Sequence, residues 1–304
     1  MTAECEHDQV QRVSTETRRD KDALAGLARV VVAALALLIF WSAIGYGFWP
    51  ELAPRLLYWV QPLRGVGAEE VESQYFEVRN NSSASERHVQ RMIERLERDY
   101  VTLAAFLGRQ PDAPIPVLLT DGNAPAYADR GTLYVFYDQG VINLDTAPFF
   151  LASLIAGPPT GSLLFDWGLS FYAVEETGLA AGLTGQSADA WVVLLQQEEA
   201  LIPLEETRSV EMPKNEQGLF DFFRALVEGG SFMRWLVEEH GWEAAWELHH
   251  GGEPEDVLGL PLHRAEADWL AAVAAQDLDP KPCLLAVPSH PAFRGVCQQL
   301  KDAQ

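Results

Sequence analysis

The spacing of apolar residues divides most of the chain into a first part that predicts strands and a second part that predicts helices. Residues 73–79 alternate and are rich in aromatic and β-branched side chains, so they predict a first strand. Further strands are predicted at 115–120, 132–137 and 140–144. After the first strand, Ser83 and Glu86 form a capping box that predicts a helix start, and apolar residues keep helical spacing up to Gly108. This order predicts an α+β domain with a small sheet.

Two strongly apolar helices are predicted in the middle of the chain, within residues 147–176. They are joined by the elbow Gly157-Pro158-Pro159, which ends one helix and begins the next. Both are too apolar to lie anywhere but inside a domain. An amphipathic helix is predicted over 188–204, and the pattern from 218 to 274 is helical almost throughout. The domain is therefore predicted to have a helical second half.

A separate apolar pattern lies near the N-terminus, where residues 30–49 contain no charged side chain. About 20 apolar residues at a rise of 1.5 Å match a hydrocarbon core of about 30 Å. The 29 residues before this run are polar and charge-dense and are predicted to be disordered. A cleaved signal peptide is the alternative. An uncleaved transmembrane helix is favoured, because the charged leader is long and no small-x-small cleavage site follows cleanly.

Basic residues are denser before the predicted span than directly after it. Four precede it closely (Arg18, Arg19, Lys21 and Arg29), and two follow it closely (Arg55 and Arg64). This bias predicts a cytoplasmic segment 1–29 and an extracytoplasmic C-terminal domain, which would be periplasmic in a bacterium. Residues 50–72 are predicted to connect the span to the domain.

The acidic composition of the chain limits which partners can be expected. Its 304 residues include 44 acidic and 22 basic side chains, which give a formal net charge of −22 at pH 7. Nucleic acid is therefore not expected as a partner, because phosphate binding depends mainly on Lys and Arg contacts. The acidic residues are spread along the chain, which indicates a solvated surface. The membrane is the partner that the sequence predicts directly.

Two stretches of the sequence resemble a known family. Residues 164–172, Leu-Phe-Asp-Trp-Gly-Leu-Ser-Phe-Tyr, are similar to the W-L-x-E-G-L-A-x-Y segment of membrane-associated zinc metallopeptidases of the peptidase MA (gluzincin-like) group. The segments that end the family's domain are similar to Gly-Ser-Phe-Met-Arg-Trp-Leu at 230–236, Gly241, the turn at 258–262 and Glu266-Ala-Asp-Trp269. The resemblance covers residues 73–274. It implies a zincin-like domain with a small N-terminal sheet, an active-site helix under it and a helical second half.

The metal ligands of that family have no counterpart in this sequence. In the family, the Glu of the first segment binds zinc and the preceding helix carries H-E-x-x-H. Trp167 stands at the Glu position here, and residues 149–156 contain neither His nor Glu. A catalytic zinc needs about three protein ligands. The resemblance therefore implies a degenerate cleft without catalytic residues, metal or cofactor, with Asp166, Trp167 and Tyr172 as its candidate residues. A helix-start role for Asp166 and a core position for Tyr172 are the alternatives.

One His/Glu cluster offers a weaker alternative metal site. His249 and His250 are followed by two glutamates and then by His263. Adjacent side chains on a helix diverge by about 100°, so His249 and His250 cannot chelate together without help from the following loop. The favoured interpretation is a surface pair at a helix end. Incidental metal binding by His249, His250 and His263 is the alternative.

The C-terminal tail, residues 275–304, contains two of the three cysteines. Cys283 and Cys297 would lie outside the cytoplasm, where disulfides persist, so a disulfide between them is predicted. Closing a loop of about 15 residues stabilises a fold by roughly 3 kcal/mol at most.

These features together predict a single-pass membrane protein with a catalytically inactive, metallopeptidase-like domain that binds a peptide or a protein partner. One alternative is a divergent membrane-bound, metal-dependent hydrolase that takes its ligands from the His249–His263 region. Another is an accessory subunit of a membrane complex, held there by the span.

Overall fold

The computed structural model describes residues 69–157, 162–179, 185–210 and 216–280. The predicted span at 30–49, the segment 1–29 and both cysteines of the predicted disulfide lie outside these ranges. Among the helices of the described ranges, none combines the length and the apolar character of a membrane crossing. The chain divides into two compact units, residues 1–71 with 79–82 and residues 72–78 with 83–304. Every side-chain contact described below lies within the second unit.

The fold is α+β, as predicted, and its sheet is mixed. The strands are β1 Glu69–Glu72, β2 Phe76–Asn81, β3 Ile115–Asp121, β4 Tyr127–Asp129, β5 Thr132–Asp138 and β6 Val141–Asn143. Their order in the sheet is β1-β2-β3-β5-β4, and β6 also pairs with β5. β3 runs parallel to β5 with Val117 opposite Leu133, while β4 and β6 are antiparallel to β5.

The predicted strands differ from the observed ones mainly at the start of the sheet. The strands predicted at 115–120, 132–137 and 140–144 correspond to β3, β5 and β6. The first predicted strand is shifted, because β1 occupies the end of the stretch predicted as a connector and Ser73–Tyr75 links it to β2. β4 was not predicted, since three residues are too few to show an alternation.

Eight α-helices and one π-helix are present in the described ranges. They are α1 Glu86–Leu107, α2 Ala147–Ala156, the π-helix Leu163–Trp167, α3 Gly168–Glu176, α4 Ala188–Gln197, α5 Leu204–Thr207, α6 Glu216–His249, α7 Pro254–Leu258 and α8 Leu262–Ala275. The helix predicted over 188–204 is wrong in length, because α4 ends at Gln197. α6 is interrupted at Gly241, whose φ of +83° is a left-handed conformation that residues with a β-carbon disfavour.

The predicted capping box at Ser83 is wrong. The residue before α1 is Ser85, whose side chain makes no capping hydrogen bond. Ser83 instead donates its backbone N–H and its hydroxyl to the Asp121 carboxylate, at 2.9 and 2.8 Å. A carboxylate is a stronger acceptor than the alternatives at a helix start. Ser83 therefore ties the chain before α1 to the end of β3.

The core lies between the helices and the sheet, whose strand β3 is buried on both faces at residues 117–120. The apolar residues of α1 that keep helical spacing are all buried, as predicted: Val89, Met92, Ile93, Leu96, Leu103 and Leu107. α2 packs against α1 and α3, and α3 packs with the π-helix against α6. The central helix pair is therefore enclosed by α1 on one side and α6 on the other.

The packing of α3 on α6 depends on two glycines that meet backbone to backbone. A β-carbon at Gly168 would lie 2.6 Å from the carbonyl oxygen of Gly229, whereas one at Gly229 would lie 3.1 Å from its nearest neighbours. We expect Gly168→Ala to lower the free energy of unfolding by roughly 2–3 kcal/mol, because the two helices must move apart. Gly229→Ala should cost less. Urea denaturation measures both, and a Gly168→Ala variant as stable as the unmodified protein would contradict this contact.

Candidate functional site

The π-helix is the local feature that positions the candidate site. The backbone N–H of Gly168 donates to the carbonyl of Leu163, five residues back, which makes a wider turn than in an α-helix. Such turns are frequent at functional sites. Within this turn Asp166 is 2% exposed, whereas the next residue, Trp167, is partly exposed. Asp166 therefore lies in the core, whereas Trp167 reaches the surface.

Trp167 lies in a cluster of four aromatic side chains, which we call the aromatic quartet: Phe149, Phe150, Trp167 and Phe222. The ring centre of Trp167 lies 5.3 Å from that of Phe149 and 5.9 Å from that of Phe150. Phe222 of α6 meets the indole edge-on at 4.9 Å. Tilted and edge-on contacts at these distances are the favourable arrangements of aromatic pairs. Phe149 is buried, and the other three rings are partly exposed.

The quartet joins Trp167 to the helix that precedes it. Phe149 and Phe150 belong to α2, the helix on which the family resemblance would place H-E-x-x-H. None of the four side chains carries an atom that binds zinc, since the indole N–H is only a donor. The surroundings of Trp167 on the side of α2 are therefore aromatic carbon.

Asp166 contacts His249, a pairing that the sequence did not predict. The distance between Asp166 Oδ1 and His249 Nδ1 is 3.1 Å, and both side chains are 2% exposed. The contact does not have hydrogen-bond geometry at His249, whose two ring nitrogens are buried. The interpretation of His249 as a surface residue is wrong. Because adjacent helical residues point in different directions, His249 faces the interior while His250 is exposed.

The three histidines of the alternative metal site do not converge. The ring centres of His249 and His250 are 5.3 Å apart. His250 places Nδ1 2.5 Å from the Trp246 carbonyl and Nε2 3.2 Å from Arg109 Nη1. His263 is exposed in the first turn of α8. Within the described ranges, no three His, Cys, Asp or Glu side chains form a group that could hold a metal ion.

Tyr172 lies in the core, which confirms one of the two predictions for it. It is 6% exposed and contacts Phe106 and Trp242, with ring centres 5.5 and 5.9 Å away. Burial, and then the charge of Glu176, raise the pKa of its hydroxyl to about 12, so it stays protonated at neutral pH. Of the three residues predicted for the cleft, only Trp167 is partly exposed.

A buried polar network, missed by the sequence analysis, holds α6 against α3, α4 and α8. Asp189 of α4 accepts hydrogen bonds from Ser231 at 2.6 Å and Gln276 at 3.0 Å. Arg234 forms ion pairs with Asp189 at 3.0 Å and Glu175 at 2.9 Å. Burial alone would lower the pKa of Arg234, but these carboxylates raise it overall. Polar contacts therefore connect α3, α4 and α6 beside the candidate site.

The same network joins two segments on which the family resemblance depends. The Trp269 indole N–H donates to the Ser231 hydroxyl at 3.0 Å. Ser231 belongs to the Gly-Ser-Phe segment, and Trp269 ends the Glu-Ala-Asp-Trp segment. Both residues are 1% exposed. These two stretches, 38 residues apart in sequence, thus contact each other in the core.

Glu228 of α6 is a further buried acid. It is 0% exposed, and its Oε1 accepts a hydrogen bond from the backbone N–H of Ile202 at 3.1 Å. Burial raises the pKa of Glu228 to about 8, despite the Ile202 hydrogen bond and the charge of Arg224, which lower it. Glu228 is therefore largely neutral at pH 7.

No protein-family model matches the chain, and no curated protein is significantly similar to it. The relation to the peptidase MA group is therefore a prediction from the two sequence stretches. The geometry on which a function can be argued is that of the aromatic quartet.

Proposed function

We propose that this protein is a membrane-anchored, catalytically inactive relative of zinc metallopeptidases that binds a peptide or a partner protein at the aromatic quartet. The α+β architecture, with a small sheet followed by helices, is compatible with a zincin-like domain. The observation that supports the proposal most strongly is the packing of the Trp167 side chain. At the position of the family's Glu ligand, this side chain packs on two phenylalanines of the preceding helix.

The exposure of the quartet supports a binding role. Phe150, Trp167 and Phe222 all keep part of their surface exposed, although each is large and apolar. Aromatic side chains bury a large area at small entropic cost and dominate the energetics of many protein interfaces. A partner that covers these three rings would gain most of its affinity from them.

The sheet edge beside the quartet favours an extended peptide as the ligand. β4 ends the strand order of the described sheet and contacts α2, which carries Phe149 and Phe150. Edge strands can pair with an added strand through main-chain hydrogen bonds, and neighbouring pockets then select the side chains. A peptide on β4 would be close enough to α2 to place an apolar side chain on the quartet.

Binding of selected peptides tests this proposal. Peptides with amidated C-termini, selected from a random library on the full chain, should bind Trp167→Ala at least about tenfold more weakly, as expected for a central aromatic anchor. Phe222→Leu is a milder second variant. Val141→Ser, at an exposed apolar residue outside the quartet, is the matched control and should bind normally. Unchanged affinity in both quartet variants, with the fold intact by thermal melting, would refute the proposal.

The alternative of a metal-dependent hydrolase has one observation in its favour, the buried Asp166–His249 pair. A zinc site needs further ligands and an open position. His250 is directed to Trp246 and Arg109, and His263 is exposed on α8. The binding function is therefore the better supported of the two.

A further inference from the structure

A groove separate from the aromatic quartet lies beside the C-terminal end of α1. Its volume is about 410 Å³, and its lining includes Tyr75, Tyr100, Val101, Ala104, Ala105 and Arg109. Tyr75 and Tyr100 stack with their ring centres 4.3 Å apart. Val101 is 51% exposed. The groove falls within the usual size range of small-ligand sites, roughly 300–1,000 Å³, and its wall is mainly apolar. We call it the Arg109 groove.

The guanidinium group of Arg109 is contacted by two side chains, Trp246 and His250. The guanidinium carbon of Arg109 lies 4.0 Å from the centre of the Trp246 ring. Nη1 of Arg109 lies 3.2 Å from His250 Nε2, and Nδ1 of the same imidazole lies 2.5 Å from the Trp246 carbonyl. An imidazole that donates from Nδ1 and accepts at Nε2 is neutral, so it adds no repulsive charge beside the guanidinium. Arg109 is thereby oriented before any ligand binds.

Among the residues that the structure describes, no carboxylate pairs with Arg109. Within the described ranges its side chain contacts only Trp246 and His250. Three other partly buried arginines of the described ranges each lie against a carboxylate: Arg208 on Glu205, Arg224 on Asp221 and Arg234 on Glu175. The chain has twice as many acidic as basic residues, so an oriented arginine that pairs with none of the described acids is well suited to bind an external anion.

We propose that the Arg109 groove binds a carboxylate attached to an apolar group. The remaining guanidinium N–H groups form a planar fork that suits a carboxylate, and the apolar part of the ligand packs against the tyrosines and Val101. This ligand is either a small free acid or the C-terminal residue of a peptide. The proposal is independent of the aromatic quartet, because the two sites share no residue.

A role in capping the helix is the competing explanation for Arg109. The C-terminal end of α1 carries a partial negative charge, which a nearby cation offsets. That role predicts a small loss of stability when the charge is removed, but no affinity for a ligand. Ligand binding and thermal stability must therefore be measured on the same variants.

Calorimetric titration of the full chain with 3-phenylpropionate and its neutral amide tests the proposal. We expect the acid to bind with millimolar affinity, as suits a ligand of this size, and the amide at least about tenfold more weakly. Arg109→Gln should weaken binding of the acid by a similar factor, and Arg109→Lys by less, because it keeps the charge without the fork. Arg91→Gln, at an exposed arginine of the same helix, is the control and should bind normally.

A peptide arm identifies the source of the ligand. Tighter binding of Gly-Gly-Phe than of 3-phenylpropionate, lost in the peptide amide, supports the proposal with a peptide C-terminus as the ligand, and the reverse order supports it with a free acid. Equal affinity for acid and amide would overturn the proposal. So would normal binding of the acid by Arg109→Gln, or no binding of either compound by the folded, unmodified chain. The acid–amide comparison needs no variant and so holds even if Arg109→Gln fails to fold.

Discussion

Replacing Glu228 with glutamine is expected to make the free energy of unfolding less dependent on pH. In the unmodified protein, Glu228 lowers this free energy by several kcal/mol as the pH rises from acidic to alkaline values. The side chain is fully buried, and burial raises its pKa to about 8 from the ordinary value of 4.5. Between these two values the folded chain keeps a proton that the unfolded chain releases. The contribution of Glu228 is therefore fully present below about pH 4.5 and is lost as the pH rises through about 8. At about 1.4 kcal/mol per pH unit, the loss amounts to roughly 4–5 kcal/mol.

Glutamine separates the charge of Glu228 from its packing. It has nearly the same shape and keeps the carbonyl oxygen that accepts the Ile202 N–H. Urea denaturation at acidic, neutral and alkaline pH should show similar stability of the two proteins near pH 5 and an advantage for Glu228→Gln that grows toward pH 9. Glu243→Gln, at an exposed glutamate of α6, is the control and should not change the pH profile. Parallel profiles for Glu228→Gln and the unmodified protein would show that Glu228 is charged when folded.

His249→Ala is expected to lower the free energy of unfolding by about 3–5 kcal/mol. The change leaves the buried Asp166 carboxylate without the imidazole that lies 3.1 Å away. Truncating a large buried ring to Ala leaves a cavity, which costs about 3–5 kcal/mol for Phe or Trp, and here it also removes a polar contact of Asp166. His263→Ala removes an exposed histidine and should change stability by less than about 0.5 kcal/mol.

A double-mutant cycle isolates the interaction between Asp166 and His249. Asp166→Asn keeps the shape of the side chain and removes its charge. Combined with His249→Ala, it should destabilise the fold by less than the sum of the two single changes, with a coupling of roughly 1–3 kcal/mol. Additive effects in urea denaturation would mean that the two residues act independently.

Much of the fold could be predicted from the sequence because its main elements are long and regularly patterned. The apolar positions of α1 are buried at helical spacing, and β3, β5 and β6 lie where strands were predicted. The helical second half was also predicted. Ser231 and Trp269, which come from two of the segments used for the family resemblance, contact each other in the core. The spacing of apolar residues and the residue types predict helices and strands because they decide which face of an element can be buried.

The candidate site was harder to predict because its contacts join distant parts of the chain. Asp166 and His249 were considered separately, and no local pattern pairs residues 83 positions apart. The π-helix has no sequence signature, although it directs Asp166 inward while Trp167 stays partly exposed. Glu228 sits in a helical run whose pattern suggests a solvent position for an acid, yet α6 is enclosed by neighbouring helices at that point.

The aromatic quartet could be predicted only in part from the sequence. The absence of His and Glu from α2 and the presence of Trp167 were visible in the sequence. The contacts of Trp167 with Phe149, Phe150 and Phe222 required the structure. Residue types were thus enough to identify the candidate residue, whereas its packing partners lie on separate helices.

Zinc content and chelator-sensitive hydrolysis of the purified full chain test most directly whether aromatic carbon has replaced a metal centre. The chain should contain far less than one zinc ion per molecule after dialysis, and added zinc should not produce hydrolysis of peptide substrates. One tightly held zinc ion per chain, or peptide hydrolysis that a chelator abolishes, would contradict the proposed binding function and favour a divergent hydrolase.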